Sequence, residues 1–211
     1  MKVCEIFASI QGESSFAGIP FAFVRFSGCN LRCVYCDTKY AYEEGAQMTG
    51  DEIFGKVKSF GLRYLEVTGG EPLLQEGVSG LIGRFLDEGF TLLIETNGSV
   101  SIREVDRRAV VIMDIKTPSS GMFAEMDLMN LEYLKPDDEL KFVIADRHDY
   151  EWSSGFIRDY GLSGRCGVLF SPVFGVLNPA DLANWLVSDR LPVRFNLQIH
   201  KYVFGPDQRG V

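Results

Sequence analysis

The stretch Phe21-Ala22-Phe23-Val24-Arg25-Phe26-Ser27-Gly28-Cys29-Asn30-Leu31-Arg32-Cys33-Val34-Tyr35-Cys36-Asp37-Thr38 joins an apolar, β-rich run to a polar loop. That pattern is repeated along the chain. Runs rich in Val, Ile, Leu and Phe predict strands at 2–8, 21–26, 64–68, 91–95, 110–114, 140–145, 167–170 and 195–199. Helical patterns fall between them at 50–59, 78–88, 150–159 and 180–188. Thr49 and Glu52 form a capping box for the first helix, and Asn178-Pro179 opens the fourth. Strands separated by helices imply βα units and a mainly parallel sheet, open or curled toward a barrel. Polar and Gly-rich residues collect just after the strands, at 29–38, 68–72, 95–98, 114–118, 171–172 and 200–201. Parallel α/β folds bind ligands at the carboxyl ends of their strands, so one shared site is expected there.

The loop after the second strand carries three of the five cysteines in the spacing Cys29-x3-Cys33-x2-Cys36. An odd number of cysteines in a chain able to build its own core argues against a disulfide framework. Three thiolates on a short loop suit one face of a [4Fe–4S] cluster, which normally takes four cysteines, and leave one iron open. Structural zinc is the other reading, with a fourth ligand from Cys4, Cys166, His148 or His200.

Length and composition bound the rest. The chain has 211 residues, 46% of them hydrophobic, enough for one sizeable core, and it reads as one domain over 1–211. A net charge of −8 argues against generic binding to a nucleic-acid backbone. No run approaches a membrane span, and the first residues lack the apolar stretch of a secretory signal. A soluble, cytoplasmic protein is expected.

The cysteine spacing, with aromatic Tyr35 before the third cysteine, resembles the signature of the radical S-adenosylmethionine (SAM) superfamily. Thr68-Gly69-Gly70-Glu71-Pro72 resembles that family's glycine-rich segment after the next strand. The resemblance narrows to the 7-carboxy-7-deazaguanine synthase family through segments in order along nearly the whole chain. These are Glu5-Ile6-Phe7, Ile10-Gln11-Gly12-Glu13, 23–31, Cys36-Asp37-Thr38, 68–72, Glu95-Thr96-Asn97-Gly98, Asp114-Ile115-Lys116 and His200-Lys201-Tyr202.

The resemblance implies a partial, shortened (β/α) radical SAM barrel, since a complete eight-stranded barrel takes about 250 residues. It implies conversion of 6-carboxy-5,6,7,8-tetrahydropterin to 7-carboxy-7-deazaguanine with loss of ammonia, in queuosine biosynthesis. The cofactors would be a [4Fe–4S] cluster on Cys29, Cys33 and Cys36, SAM, and Mg²⁺ on Thr38. Substrate contacts would come from Ile10, Gln11, Gly12, Arg25, Thr68 and His200, with Arg25 on the carboxylate. SAM contacts would come from Tyr35, Gly70, Glu95, Asp114, Ile115, Lys116, Ser171, Pro172, Val173 and Phe174. The implied partners are an external one-electron reductant of flavodoxin or ferredoxin type and a second copy in a homodimer.

Several residues keep a plainer reading. Arg25 could pair with Glu13 or another acid, Thr38 could cap the loop, Lys116 could be a solvated strand end, and His200 could be structural. Cys4 and Cys166 match no role and read as small buried side chains. A glycyl-radical-enzyme activase shares the cysteine spacing and is the alternative activity. In some synthases a terminal proline carboxylate reaches the substrate. Here Pro206 is followed by Asp207-Gln208-Arg209-Gly210-Val211, and this tail is expected to fold over the pterin, with Asp207 or the Val211 carboxylate taking that part.

Overall fold

In the computed structural model, which describes residues 1–211, nine strands form a single sheet. They are β1 (Lys2–Ile10), β2 (Pro20–Phe26), β3 (Ala46–Gln47), β4 (Tyr64–Gly69), β5 (Thr91–Thr96), β6 (Val110–Ile115), β7 (Glu139–Ile144), β8 (Gly167–Pro172) and β9 (Arg194–Phe195). The order is β3-β1-β2-β4-β5-β6-β7-β8-β9. Only the pairs made by β1, with β2 and β3, are antiparallel; every pair from β2–β4 onward is parallel. Neither edge strand pairs with the other, so the barrel stays open. No helix is long and apolar enough to cross a membrane.

The helices α1 (Gly50–Lys58), α2 (Val78–Asp87), α3 (Arg147–Asp159) and α4 (Pro179–Asp189) cover the outer face. Their ends are set locally. Thr49 and Glu52 exchange both capping-box hydrogen bonds, and Asn178 Oδ1 accepts from Ala180 N at 3.1 Å ahead of Pro179. α3 starts earlier than the expected 150 because Asp146 caps it, accepting from Asp149 N.

Strand alternation divides the burial. Leu65, Val67, Leu92, Ile94, Val111, Met113, Ile115, Leu140, Phe142 and Ile144 face the helices in the main core. The opposite face begins with an apolar floor of Phe21, Phe23, Leu93 and Ile112. Toward the strands' carboxyl ends the same face turns polar, with Arg25, Thr68, Glu95, Asp114 and Lys141 lining one cavity together with Glu66, which lies level with Phe23 and Leu93.

The expected strand at 195–199 is corrected to the two-residue β9 followed by a helix, α5 (Ile199–Phe204). The alternation of Phe195, Leu197 and Ile199 imitates a strand. Asn196 ends the ladder: its N–H donates to Phe170 O, and its side-chain amide donates to Ser171 Oγ. His200 therefore sits on a helix. α5 lies across the open side of the barrel, where Ile199 N donates to Gly12 O at 2.9 Å and Gln198 Nε2 donates to Glu13 Oε1 at 2.9 Å.

Candidate active site

A cavity of about 480 Å³ opens at the carboxyl ends of the parallel strands. The loop after β2 brings Cys29, Cys33, Tyr35, Cys36 and Thr38 to its wall, and all five cysteines of the chain are free thiols. The backbone packs closely around Cys29. A Cβ on Gly70 would lie 2.1 Å from Gly28 O and 2.9 Å from Cys29 Cβ, so this position admits glycine alone. Glu71 is fully buried and ties the loops together. It accepts from Leu73 N, Asn97 N and Thr96 Oγ1, while its own N–H donates to Gly28 O at 2.8 Å. Leu31 N and Asn97 Nδ2 point at Cys29 Sγ, at 3.4 and 3.5 Å.

Three accessible thiols on one loop, with N–H donors directed at a sulfur, fit a cluster held by three thiolates. Burial pushes the Cys33 thiol up, while nearby Lys116 draws it back. Of the four residues considered as a fourth zinc ligand, only His200 lines the cavity.

A layer of charge lies above the apolar floor. Lys141 reaches Glu13 at 3.0 Å and Asp114 at 3.3 Å and also bonds Glu95; Lys116 bonds Asp114 at 2.8 Å. Burial opposes these charges, yet Asp114, Glu13 and Glu95 together hold the Lys141 ammonium well above the usual lysine range. Thr68 Oγ1 donates to Glu95 Oε2 at 2.9 Å, so Thr68, Glu95, Lys141, Asp114 and Lys116 form a continuous chain. Lys116 is thus a buried member of the site and no solvated strand end.

Arg25 pairs with Glu5, not Glu13: its Nε donates to Glu5 Oε1 at 2.7 Å, and Tyr40 donates to the same oxygen at 2.9 Å. Both terminal guanidinium nitrogens remain without a protein partner beside the cavity. Gln11 is fixed through both ends of its amide, donating to Glu66 Oε2 and accepting from Glu13 N.

α5 adds a further set. His200 packs so closely on Gly12 that a Cβ there would fall 1.9 Å from Nδ1. Burial pushes its imidazole below the usual histidine range, against the pull of Glu13. Lys201 Nζ donates to Asp37 Oδ2 at 2.5 Å and to Gln198 Oε1 at 2.7 Å, and Thr38 Oγ1 donates to Asp37 Oδ1 at 2.9 Å. Burial is outweighed by that ammonium, so the Asp37 carboxyl sits well below its ordinary range.

The tail does return to the cavity, and residues 206–211 all line it. Arg209 holds it there, paired with Glu44 at 2.9 Å and stacked 3.5 Å from the Tyr40 ring centroid. Removal of 206–211 is expected to weaken ligand binding by several-fold while leaving the unfolding temperature within a few degrees. Unchanged ligand titrations for the shortened chain would count against a role for the tail.

The structure gathers Ile10, Gln11, Gly12, Arg25, Thr38, Thr68, Gly70, Glu95, Asp114, Lys116, Val173, Phe174 and His200 around the cavity with the cysteine loop. Three expected cofactor contacts do not line it. Ile115 faces the main core, Ser171 is engaged by Asn196, and Pro172 is buried at the end of β8. Cys4 and Cys166 are only half-buried, and Cys166 lies one residue before β8. Sequence reasoning passed over Glu66 and Lys141. The available signal was a lone charge in an apolar strand, at Leu65-Glu66-Val67 and Leu140-Lys141-Phe142.

Known proteins share this architecture. The model of the radical SAM superfamily matches residues 23–185. The crystal structure of QueE from Escherichia coli superposes with a TM-score of 0.77, covering 93% of this chain and 92% of that one, at 20% identity, which bears on the fold. The 7-carboxy-7-deazaguanine synthase of Chlorobaculum tepidum is 49% identical over 100% of this chain and 97% of its own length. Those of Koribacter versatilis and Thermoplasma acidophilum are 43% and 38% identical, each over 100% of both chains. With that identity over the full length and a radical SAM fold around the cysteine loop, the chain belongs to the 7-carboxy-7-deazaguanine synthase family of the radical SAM superfamily.

Proposed function

We propose that the chain, acting as one domain, converts 6-carboxy-5,6,7,8-tetrahydropterin to 7-carboxy-7-deazaguanine with loss of ammonia. The observation that carries this is the single cavity holding both the three-cysteine loop and a guanidinium whose terminal nitrogens are free. Superfamily membership implies a [4Fe–4S] cluster and SAM, which together supply a carbon-centred radical able to abstract hydrogen from substrate. Cys29, Cys33 and Cys36 would hold the cluster, and Tyr35, Gly70, Asp114, Lys116, Val173 and Phe174 would surround SAM. Glu95, held by Thr68 and Lys141, would stand between substrate and the cofactor ribose.

The remaining residues bind and orient. Arg25 offers its fork to the pterin carboxylate, because planar guanidinium and carboxylate match in a bidentate pair. Glu5 and Tyr40 fix the direction of that fork. Ile10, Gln11, Gly12, Thr68 and His200 would border the ring, and α5 with the tail, which complete the lining, would shield it from water. Thr38 would contribute one oxygen to Mg²⁺. Mg²⁺ keeps several waters and borrows substrate oxygens, so a sparse protein site is sufficient. Lys201 occupies one oxygen of Asp37 and Thr38 the other, so Thr38 and Asp37 present one prearranged group. A flavodoxin- or ferredoxin-type reductant, a homodimer and a cytoplasmic setting complete the reading.

The glycyl-radical-enzyme activase is not favoured, since the full-length relatives are deazaguanine synthases. The deciding experiment is mass analysis of products after anaerobic reconstitution, with the carboxytetrahydropterin, SAM, reductant and Mg²⁺. Formation of 7-carboxy-7-deazaguanine, reduced when Mg²⁺ is omitted, is expected. SAM cleavage without any deazapurine would overturn the assignment.

A further inference from the structure

Seven side-chain carboxyl groups line the cavity, and six are accounted for. Glu5 holds Arg25, Glu13 and Glu95 hold Lys141, Asp37 holds Lys201, Asp114 holds Lys116 and Lys141, and Asp207 is exposed on the tail. Glu66 is the exception. It is 5% exposed, no basic side chain lies within ion-pair distance, and its one hydrogen bond comes from Gln11 Nε2 to Oε2. An acid buried without a cation is costly unless something fills its acceptor positions.

We infer that Glu66 is a specificity-determining substrate residue, whose carboxyl oxygens receive the adjacent N–H donors of the ligand's 2-amino-4-oxopyrimidine edge. This rests on the pterin reading above and adds to it the group that distinguishes a pterin from related bicyclic rings. The placement follows from the sheet. Glu66 and Thr68 share a face of β4, with Arg25 opposite Thr68 and Phe23 opposite Glu66 in register. Glu66 is therefore one pleat deeper than the Arg25–Thr68 level, about 7 Å along the strand. A flat two-ring ligand with its carboxylate on Arg25 would extend inward over Phe23, on which Phe7 stacks at 4.9 Å, and present its far edge to Glu66.

Gln11 prepares the acid for this contact: with its amide fixed by Glu13 N, it holds Oε2 and leaves Oε1 without a protein donor. The surroundings agree. Burial, reinforced by the Glu95 and, more weakly, the Glu13 carboxylates, pushes the Glu66 carboxyl up to about 8, even though Gln11 and Lys141 draw it down. Two N–H donors at these oxygens would favour the ionised form of the acid.

The test compares two ligands differing at one position, pterin-6-carboxylate and lumazine-6-carboxylate, in which an oxo group replaces the 2-amino group. Binding is titrated at pH 7 to cluster-loaded protein with SAM. The parent is expected to prefer the pterin by at least tenfold, and equal affinities would overturn the role of Glu66. Glu66→Gln, which offers an N–H₂ to the 2-oxo group, is expected to lose at least tenfold for the pterin and to retain or gain affinity for the lumazine. Retained lumazine binding also shows that the variant is folded. A variant with the parent's preference would overturn the inference while leaving the pterin reading intact. Should Glu66→Gln fail to fold, the parent's discrimination and that of the shorter acid Glu66→Asp decide, and loss of preference in Glu66→Asp with lumazine binding unchanged is expected. If neither ligand binds the parent, the pterin reading fails and the inference with it.

Discussion

Alanine at Cys33 is expected to leave the protein colourless after anaerobic reconstitution with iron and sulfide, and unable to cleave SAM. The same outcome is expected at Cys29 and Cys36. The three residues share one loop beside the cavity, and no other cysteine lines it, so two thiolates would be left to hold a cubane that normally takes four. Folding should survive, because these side chains are partly exposed and make no core contact. Alanine at Cys4 or Cys166 should keep both colour and cleavage, and Cys166 lies in a region where burial, with Asp138 near, pushes its thiol up to about 11. Iron content and the visible spectrum are the measurements. A coloured Cys33→Ala beside a bleached Cys166→Ala would reverse the ligand assignment.

Arg25→Ala should produce the next largest loss, about 2–5 kcal/mol of binding free energy for the carboxypterin. Uncoupled SAM cleavage should persist, since the hydrogen bond, ion pair and ring contact of Arg25 go to Glu5 and Phe7 and not to the cysteine loop or Lys116. Part of the loss would reflect Glu5, a partly buried carboxylate that loses its cation. Arg25→Lys separates the two contributions. It keeps a charge for Glu5 but lacks the fork, so it should recover thermal stability and only part of the affinity. Isothermal titration of the three proteins measures this, and equal dissociation constants would remove Arg25 from the site.

Most of the sheet could be read in the sequence because parallel strands covered by helices carry long apolar runs, as at Val110–Ile115. The cysteine loop was equally readable, since all three thiols lie within eight residues. What stayed hidden depended on distant neighbours. Phe195, Leu197 and Ile199 alternate as a strand does, and nothing local shows that Asn196 will close the ladder against Ser171. Glu66 and Lys141 make sense only once curvature of the sheet encloses them. Lys201 finds Asp37, a partner 164 positions away. The resemblance takes Asp114, Ile115 and Lys116 as one block, whereas strand alternation turns the Ile115 side chain, like Val111 and Met113, toward the helices.

The open side of the barrel is spanned by α5 through few polar links, to Gly12, Glu13 and Asp37, where other sides have a continuous backbone ladder. Segments attached in this way open locally at a fraction of the global unfolding free energy. α5 carries His200 and leads into the tail, so opening of this segment would leave the cavity incomplete, and the measured affinity would then be the intrinsic affinity multiplied by the closed fraction. Gln198 and Arg209, through their bonds to Glu13 and Glu44, thus bear on ligand affinity by holding α5 and the tail in place, apart from any contact they make in the cavity they line.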